Sequence, residues 1–329
     1  MKKTEAKKVE QTLQQIVKPL DYFFVLRPTL FFPVWTVFMA GYFVQQKFDV
    51  VLPHTNNQHV IKTLIPKEFL IPGLFLTLLM GAVFILNQIQ DRITDHENNK
   101  LFLIAQNYIP VRVAYVEAGL LILAALGFAF FNSIKMGVIF ALILLITGYF
   151  YSFEPFSWKN KPIAGLVTNM LGAYIIFTAG WFIHGSLNQR LLVHATPYAL
   201  AVASVYLYTT LPDVKGDASS EKLTFGVKYG IELTLYAGFL FELAALVISL
   251  ILQDEVIFYP AFFALPFFVL AVVRKQMKDI VRSIKYPILF LSLAICVKYP
   301  PFFFILLIVY FLSKLYYRLR FGIDYPNLN

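Results

Sequence analysis

Apolar stretches about as long as a bilayer crossing recur along this chain, separated by short polar punctuation. They fall near 20–46, 69–90, 110–131, 134–153, 163–184, 191–211, 230–252, 256–273, 284–298 and 301–317. A helix needs about 20 apolar residues to cross the hydrocarbon core of a membrane. With no water there, backbone polar groups must bond within the segment, which makes such stretches helices. The pattern predicts an all-α fold, a polytopic membrane helical bundle of nine or ten segments. The count turns on 284–317, where Tyr299-Pro300-Pro301 interrupts the apolar run. Proline removes a helix donor and disfavours helix in the residue before it. The alternatives are ten segments with the last two short, or nine with the ninth broken. The basic stretch from Lys314 to Arg320 suits the cytoplasmic side and favours the even count.

Composition agrees with this class. Hydrophobic residues make up 59% of the chain and charged ones 14%, with a mean hydropathy of +0.68. A soluble domain carries about 25% charged residues. The net charge of +9 raises nucleic acid as a partner, but the placement of the basic residues argues against it. With the N-terminus in the cytoplasm, the outer side receives Lys47, Lys62, Lys67, Lys135, Arg190 and Lys298. Arg27 lies inside the first segment, and every other Lys and Arg falls on the inner side. This is the positive-inside pattern, so the basic excess reports topology and anionic lipid headgroups, not DNA or RNA. The stretch from Met1 to Lys18 is polar and basic and lacks the apolar core of a signal peptide. It is expected at the membrane interface, which divides the chain into a segment 1–19 and a single transmembrane domain 20–329. Cys296 is the one cysteine, so no intramolecular disulfide can form.

Two acidic clusters break the apolar pattern. Asn87-x-x-x-Asp91-x-x-x-Asp95 closes the second segment, and Asp213-Val214-Lys215-Gly216-Asp217 closes the sixth. Ionisable groups at membrane depth are costly and point to a function. On a helix, each four-residue step turns only about 40°, so Asn87, Asp91 and Asp95 share a face. Asp213 and Asp217 repeat the spacing. Mg²⁺ favours hard oxygen ligands, binding through one or two carboxylates plus substrate phosphate and water. Two facing carboxylate pairs can hold two Mg²⁺ ions that clamp a diphosphate. Either cluster alone is also read as a solvated helix end; both on the same side of the membrane favour a shared site. Among other polar positions, Arg27 is expected to face a cavity or a headgroup, and Lys159 and Asn169 to line a polar wall. Glu117 and Glu242 stand in apolar helices with no evident partner.

The paired motifs resemble the signature of the UbiA-type intramembrane prenyltransferases. Leu26-Arg27-Pro28 is similar to that family's arginine–proline element, and Tyr151-Ser152 with Pro155 and Lys159 to the end of its fourth helix. Asp213-x-x-Gly216-Asp217 followed by Lys222, Thr224 and Gly230 resembles its second loop. The chain departs from many relatives after the first motif: Asn99-Lys100 leads into Leu101-Phe102-Leu103-Ile104, where they carry an arginine and prolines. That removes one cationic diphosphate contact, for which Lys100, Arg92, Lys215 or Lys222 are candidate replacements.

The resemblance implies a central cavity open to the cytoplasm and a Mg²⁺-dependent transfer of a prenyl group. The donor is a polyprenyl diphosphate and the acceptor a membrane-associated molecule, by family frequency an aromatic or quinone precursor. Metal would fall to Asp91, Asp95, Asp213, Asp217 and Asn87. Lys215 would assist catalysis, and Arg27, Lys100, Tyr151, Lys159, Asn169 and Lys222 would bind substrate. Aromatic faces can stabilise carbocation character, with Tyr22, Tyr149, Tyr151, Tyr174 and Phe177 as candidates. A terpene cyclase of the same fold, and a transporter of divalent cations or polyprenyl phosphates, are the alternative functions.

Overall fold

The computed structural model describes residues 12–48, 67–97, 103–220 and 222–326. Its regular elements are helices: α1 (Phe31–Gln46), α2 (Lys67–Glu97), α3 (Val111–Asn132), α4 (Ile134–Ile143), α5 (Pro162–Trp181), α6 (Gln189–Thr209), α7 (Phe225–Ile251), α8 (Glu255–Arg274), α9 (Met277–Lys298) and α10 (Pro301–Phe321). Nine helical stretches among the described residues are long and apolar enough to cross a membrane. The tenth, Ile134–Phe150, is a shorter apolar helix. Its last part, Leu144–Phe150, is π-helical. A π segment shifts the register of the residues after it, and such segments recur at functional sites; here the next residue is Tyr151.

The break at Pro300 separates two full helices of 22 and 21 residues, so neither of the last two segments is short. α9 starts at Met277 because Lys278, Asp279, Arg282 and Lys285 form a polar first half that a hydropathy reading leaves outside. The first segment is interrupted as well. A turn of helix, Asp21–Phe24, precedes Arg27, which takes a left-handed conformation with φ 56° ahead of Pro28. The following proline disfavours αR at this position.

Each helix packs against its sequence neighbour from α2 to α9, with α4 against α5 the least extensive of these. α1 packs against α2, α5 and α9. Its approach to α5 is backbone to backbone. A Cβ added at Gly41 would collide with the Phe177 carbonyl, and one at Gly180 with that of Phe38. Small residues permit this closeness in membranes, where packing rather than hydrophobicity holds helices together. Gly180→Ala is therefore expected to lower the thermal unfolding midpoint in detergent. Overpacking costs about 1–3 kcal/mol, and a backbone obstacle cannot rotate away. Gly119→Ala, where a Cβ meets nothing within 4 Å, should leave the midpoint unchanged.

The two ends of the membrane domain are tied together. Arg320 donates to both carboxylate oxygens of the buried Asp21, at 3.0 Å each, and the Tyr316 hydroxyl donates to it at 2.7 Å. This bidentate clamp fixes the stretch leading to Arg27 against α10.

Candidate active site

The first acidic cluster lies on one unbroken helix, because α2 runs through to Glu97. Asn87 faces a cavity and donates from Nδ2 to the Ser152 hydroxyl at 3.2 Å, tying α2 to the chain just beyond the π-helical segment. One turn further, Asp91 meets two ammonium groups. Lys159 Nζ is 2.9 Å from Oδ2, and Lys222 Nζ donates to Oδ1 at 3.1 Å. Lys159 comes from the 3₁₀ turn Trp158–Asn160 between α4 and α5. Lys222 comes from the loop before α7. Asp95, a turn beyond Asp91, is buried and lies within electrostatic reach of Lys159.

The Lys159 ammonium is buried, with the Asp91 carboxylate as its partner. Burial holds the Lys159 ammonium below the ordinary lysine range, while the charge of Asp91 opposes that shift. Two ammonium groups thus share a poorly solvated place with Asp91, and Asp95 lies within reach of one of them. An anion brought here meets donors already gathered.

The second cluster does not sit at the end of α6. That helix stops at Thr209, and after Leu211-Pro212 the chain forms a separate short helix, Val214–Ser219. Asp213 is exposed immediately before it and Asp217 half-buried on it; the Asp217 N–H donates to the Asp213 carbonyl at 2.8 Å. The Lys222 N–H then donates to the Asp217 carbonyl at 2.9 Å. Lys222 thus hangs by its backbone from the second cluster while its side chain reaches the first. Tyr151 makes a second link. A hydrogen bond joins its phenol to the Asn169 side chain, and both Asp91 and Asp217 lie within electrostatic reach of it. Asn169 is itself held on α5 by donating to the Gly165 carbonyl at 2.9 Å.

Beneath these groups a cavity of 320 Å³ opens between α1, α2, the end of α4, α5 and α6. Arg27, Asn87, Tyr151 and Asn169 line it together with apolar residues such as Val34, Phe84 and Ile176. One end is polar and cationic; the rest accepts hydrocarbon. Of the five aromatic candidates, Tyr151 lines this cavity. Tyr22 and Tyr149 are exposed, Phe177 is buried against Tyr198 and Trp181, and the Tyr174 hydroxyl shares a hydrogen bond with Thr196. Lys215 is exposed on the short helix. Lys100 lies outside the described residues. Among the described residues no three His, Cys, Asp or Glu side chains gather closely enough to hold a metal by themselves.

Gln88 escapes a reading of the sequence. Buried beside Asn87, its Nε2 donates to the Val25 carbonyl at 2.8 Å and braces the turn that precedes Arg27. The available signal was a second polar residue next to the motif, on a different face of the helix.

Known proteins sharpen this picture. The model of the UbiA prenyltransferase family matches residues 59–293. A structure of a digeranylgeranylglyceryl phosphate synthase superposes with a TM-score of 0.60 at 15% identity, over 85% of this chain and 98% of its own. A UbiA homologue from Archaeoglobus fulgidus bound to GPP and Mg²⁺ gives 0.60 at 19% identity, over 84% and 99%. Another from Aeropyrum pernix K1 gives 0.61 at 13% identity, over 81% and 97%. A comparison with curated protein sequences finds no match. Identities this low speak for the fold, and the same bundle of membrane helices is shared nearly end to end with these neighbours. The family model reads the sequence itself, across more than half of the chain and both acidic clusters, so this membrane protein belongs to the UbiA prenyltransferase family.

Proposed function

We propose that this chain transfers a prenyl group from a polyprenyl diphosphate to a membrane-associated acceptor, with an aromatic or quinone precursor as the acceptor class. The observation that carries this reading is the meeting of Asp91, Lys159 and Lys222 one helical turn beyond Asn87, which lines an apolar cavity. A diphosphate needs cations and hard-oxygen metal sites, and its isoprenoid tail needs hydrocarbon; the two requirements adjoin here. UbiA homologues from A. fulgidus have been seen with DMAPP and Mg²⁺ and with GPP and Mg²⁺.

The donor set fits Mg²⁺. Asn87, Asp91, Asp95, Asp213 and Asp217 are hard oxygen donors of the kind Mg²⁺ favours, and phosphate and water would complete its shell. Those residues would hold two ions, whose Lewis acidity would neutralise the leaving diphosphate. The chain's own cations do the remaining work. Lys159 and Lys222 turn toward the diphosphate oxygens as negative charge develops on them. Lys215 meets the same group from the solvent side, and Lys100 is a further candidate on the first loop. Arg27 positions the substrate from the cavity wall. The bond from the first prenyl carbon to oxygen breaks with its electron pair leaving on diphosphate. The acceptor's nucleophilic atom bonds that carbon and loses a proton. Tyr151 presents a ring at the cavity's polar end as the cation forms. The charge asymmetry of the loops supports a cytoplasmic N-terminus and both acidic clusters on the cytoplasmic side.

The test uses the purified protein in lipid nanodiscs with radiolabelled geranylgeranyl diphosphate, Mg²⁺ and a membrane lipid extract as acceptor source. Diphosphate release is expected to rise when the extract is added, with label moving into an extract component, and to stop with EDTA. Release without extract would favour cyclisation and overturn transfer. Passage of label or metal across a sealed vesicle with no diphosphate release would establish transport instead.

A further inference from the structure

Glu242 stands in α7 with 1% of its surface exposed, and its Oε2 has no hydrogen-bond partner among the described residues. The Ser204 hydroxyl is within hydrogen-bonding reach of this carboxyl, but its single proton is already engaged with the Gly238 carbonyl at 2.8 Å. A buried polar oxygen without a donor is costly, and in a membrane helix it calls for a specific partner. The carboxyl lines a second cavity, of 310 Å³, bounded by α1 and by α5 to α9. This cavity shares Leu30, Pro33, Val37, Asn169 and Val202 with the first, so the two form adjoining compartments. They meet at Asn169, whose hydrogen-bond partner Tyr151 faces both acidic clusters.

Two adjoining compartments suit a reaction with two substrates. The first joins the cationic end of the site and has walls fit for a prenyl chain. A hydrocarbon tail in the second would leave Glu242 unsatisfied, whereas a molecule bearing a hydroxyl would supply the missing donor. An anion there would face the carboxyl with no cation among the lining residues. We propose that the second cavity is the acceptor compartment and that Glu242 binds a neutral hydroxyl of the acceptor, selecting against acceptors with a carboxylate at that end. This assignment rests on the prenyl-transfer reading.

The probes are 1,4-dihydroxynaphthalene, kept anaerobic, and its dimethyl ether, bound to the full-length protein in nanodiscs by equilibrium dialysis. The wild type is expected to hold the diol at least about tenfold tighter than the ether, roughly 1.4 kcal/mol. Glu242→Leu should bind both equally, with the ether's affinity unchanged, which shows the cavity intact. Glu242→Gln, nearly isosteric and still an acceptor at Oε1, should keep part of the preference. A wild type without preference, or a leucine variant that keeps it in full, would overturn the assignment and leave Glu242 a packing residue. The failure of the reaction reading looks different. Loss of preference in the leucine variant, with no acceptor-dependent diphosphate release by the wild type, would retain the hydroxyl site and overturn its role in prenyl transfer.

Discussion

Asp91→Asn is expected to reduce acceptor-dependent turnover by roughly a thousandfold, about 4 kcal/mol of transition-state stabilisation, while leaving the protein folded. The change is isosteric and spares α2, so the effect follows from charge. Asp91 now balances Lys159 and Lys222 and belongs to the proposed metal ligands. Removing its charge weakens metal binding and frees two ammonium groups to hold diphosphate in the ground state. The loss should therefore appear in kcat, with KM for the diphosphate unchanged or lower. Combining it with Asp213→Asn should cost much less than the product of the two single effects, since both act through one centre. Steady-state kinetics over a Mg²⁺ series decides the matter. Wild-type turnover by Asp91→Asn at limiting Mg²⁺ would exclude Asp91 as a metal ligand.

Much of this architecture was legible in the chain because bilayer physics leaves few choices. Length and hydropathy give helices, and the i, i+4 spacing of Asn87, Asp91 and Asp95 holds because no breaker lies between them in α2. Spacing was less informative at the second cluster. Pro212 detaches Asp213 from α6 and places the pair on a short helix of its own. The helix α9 looked short because its N-terminal half is polar, and a hydropathy window cannot distinguish a polar helical turn from a loop. The least legible feature was which cation serves the site. Lys159, Lys215 and Lys222 all fall in polar stretches between apolar segments and look alike in sequence. Only the folded chain distinguishes an exposed Lys215 from two lysines whose ammonium groups reach Asp91 across separate loops. Glu242 was visible as an isolated acid in an apolar helix, but its cavity is assembled from six helices, α1 and α5 to α9.

Lys222→Ala is expected to lower kcat/KM for the prenyl diphosphate by about a hundredfold, near 2.7 kcal/mol. Its side chain contributes in two ways. It supplies a donor that strengthens as charge develops on the leaving group, and it holds the loop of the second acidic cluster against Asp91. Lys159→Ala should cost about as much, since its buried ammonium reaches the same Asp91 carboxylate. Lys215→Ala is expected to cost less, near tenfold, about 1.4 kcal/mol, because water screens an exposed charge. Arg27→Ala should fall near the same tenfold value, with the loss mainly in KM because it acts on substrate position. Lys222→Arg restores charge but not shape, since a planar guanidinium replaces a compact ammonium, and should recover only part of the rate. A purely topological role predicts a different result: correctly inserted Lys222→Ala protein with unchanged kcat/KM. In that case the diphosphate contact would pass to Lys159 or to Lys100, and the bridge between the two acidic clusters would be structural rather than catalytic.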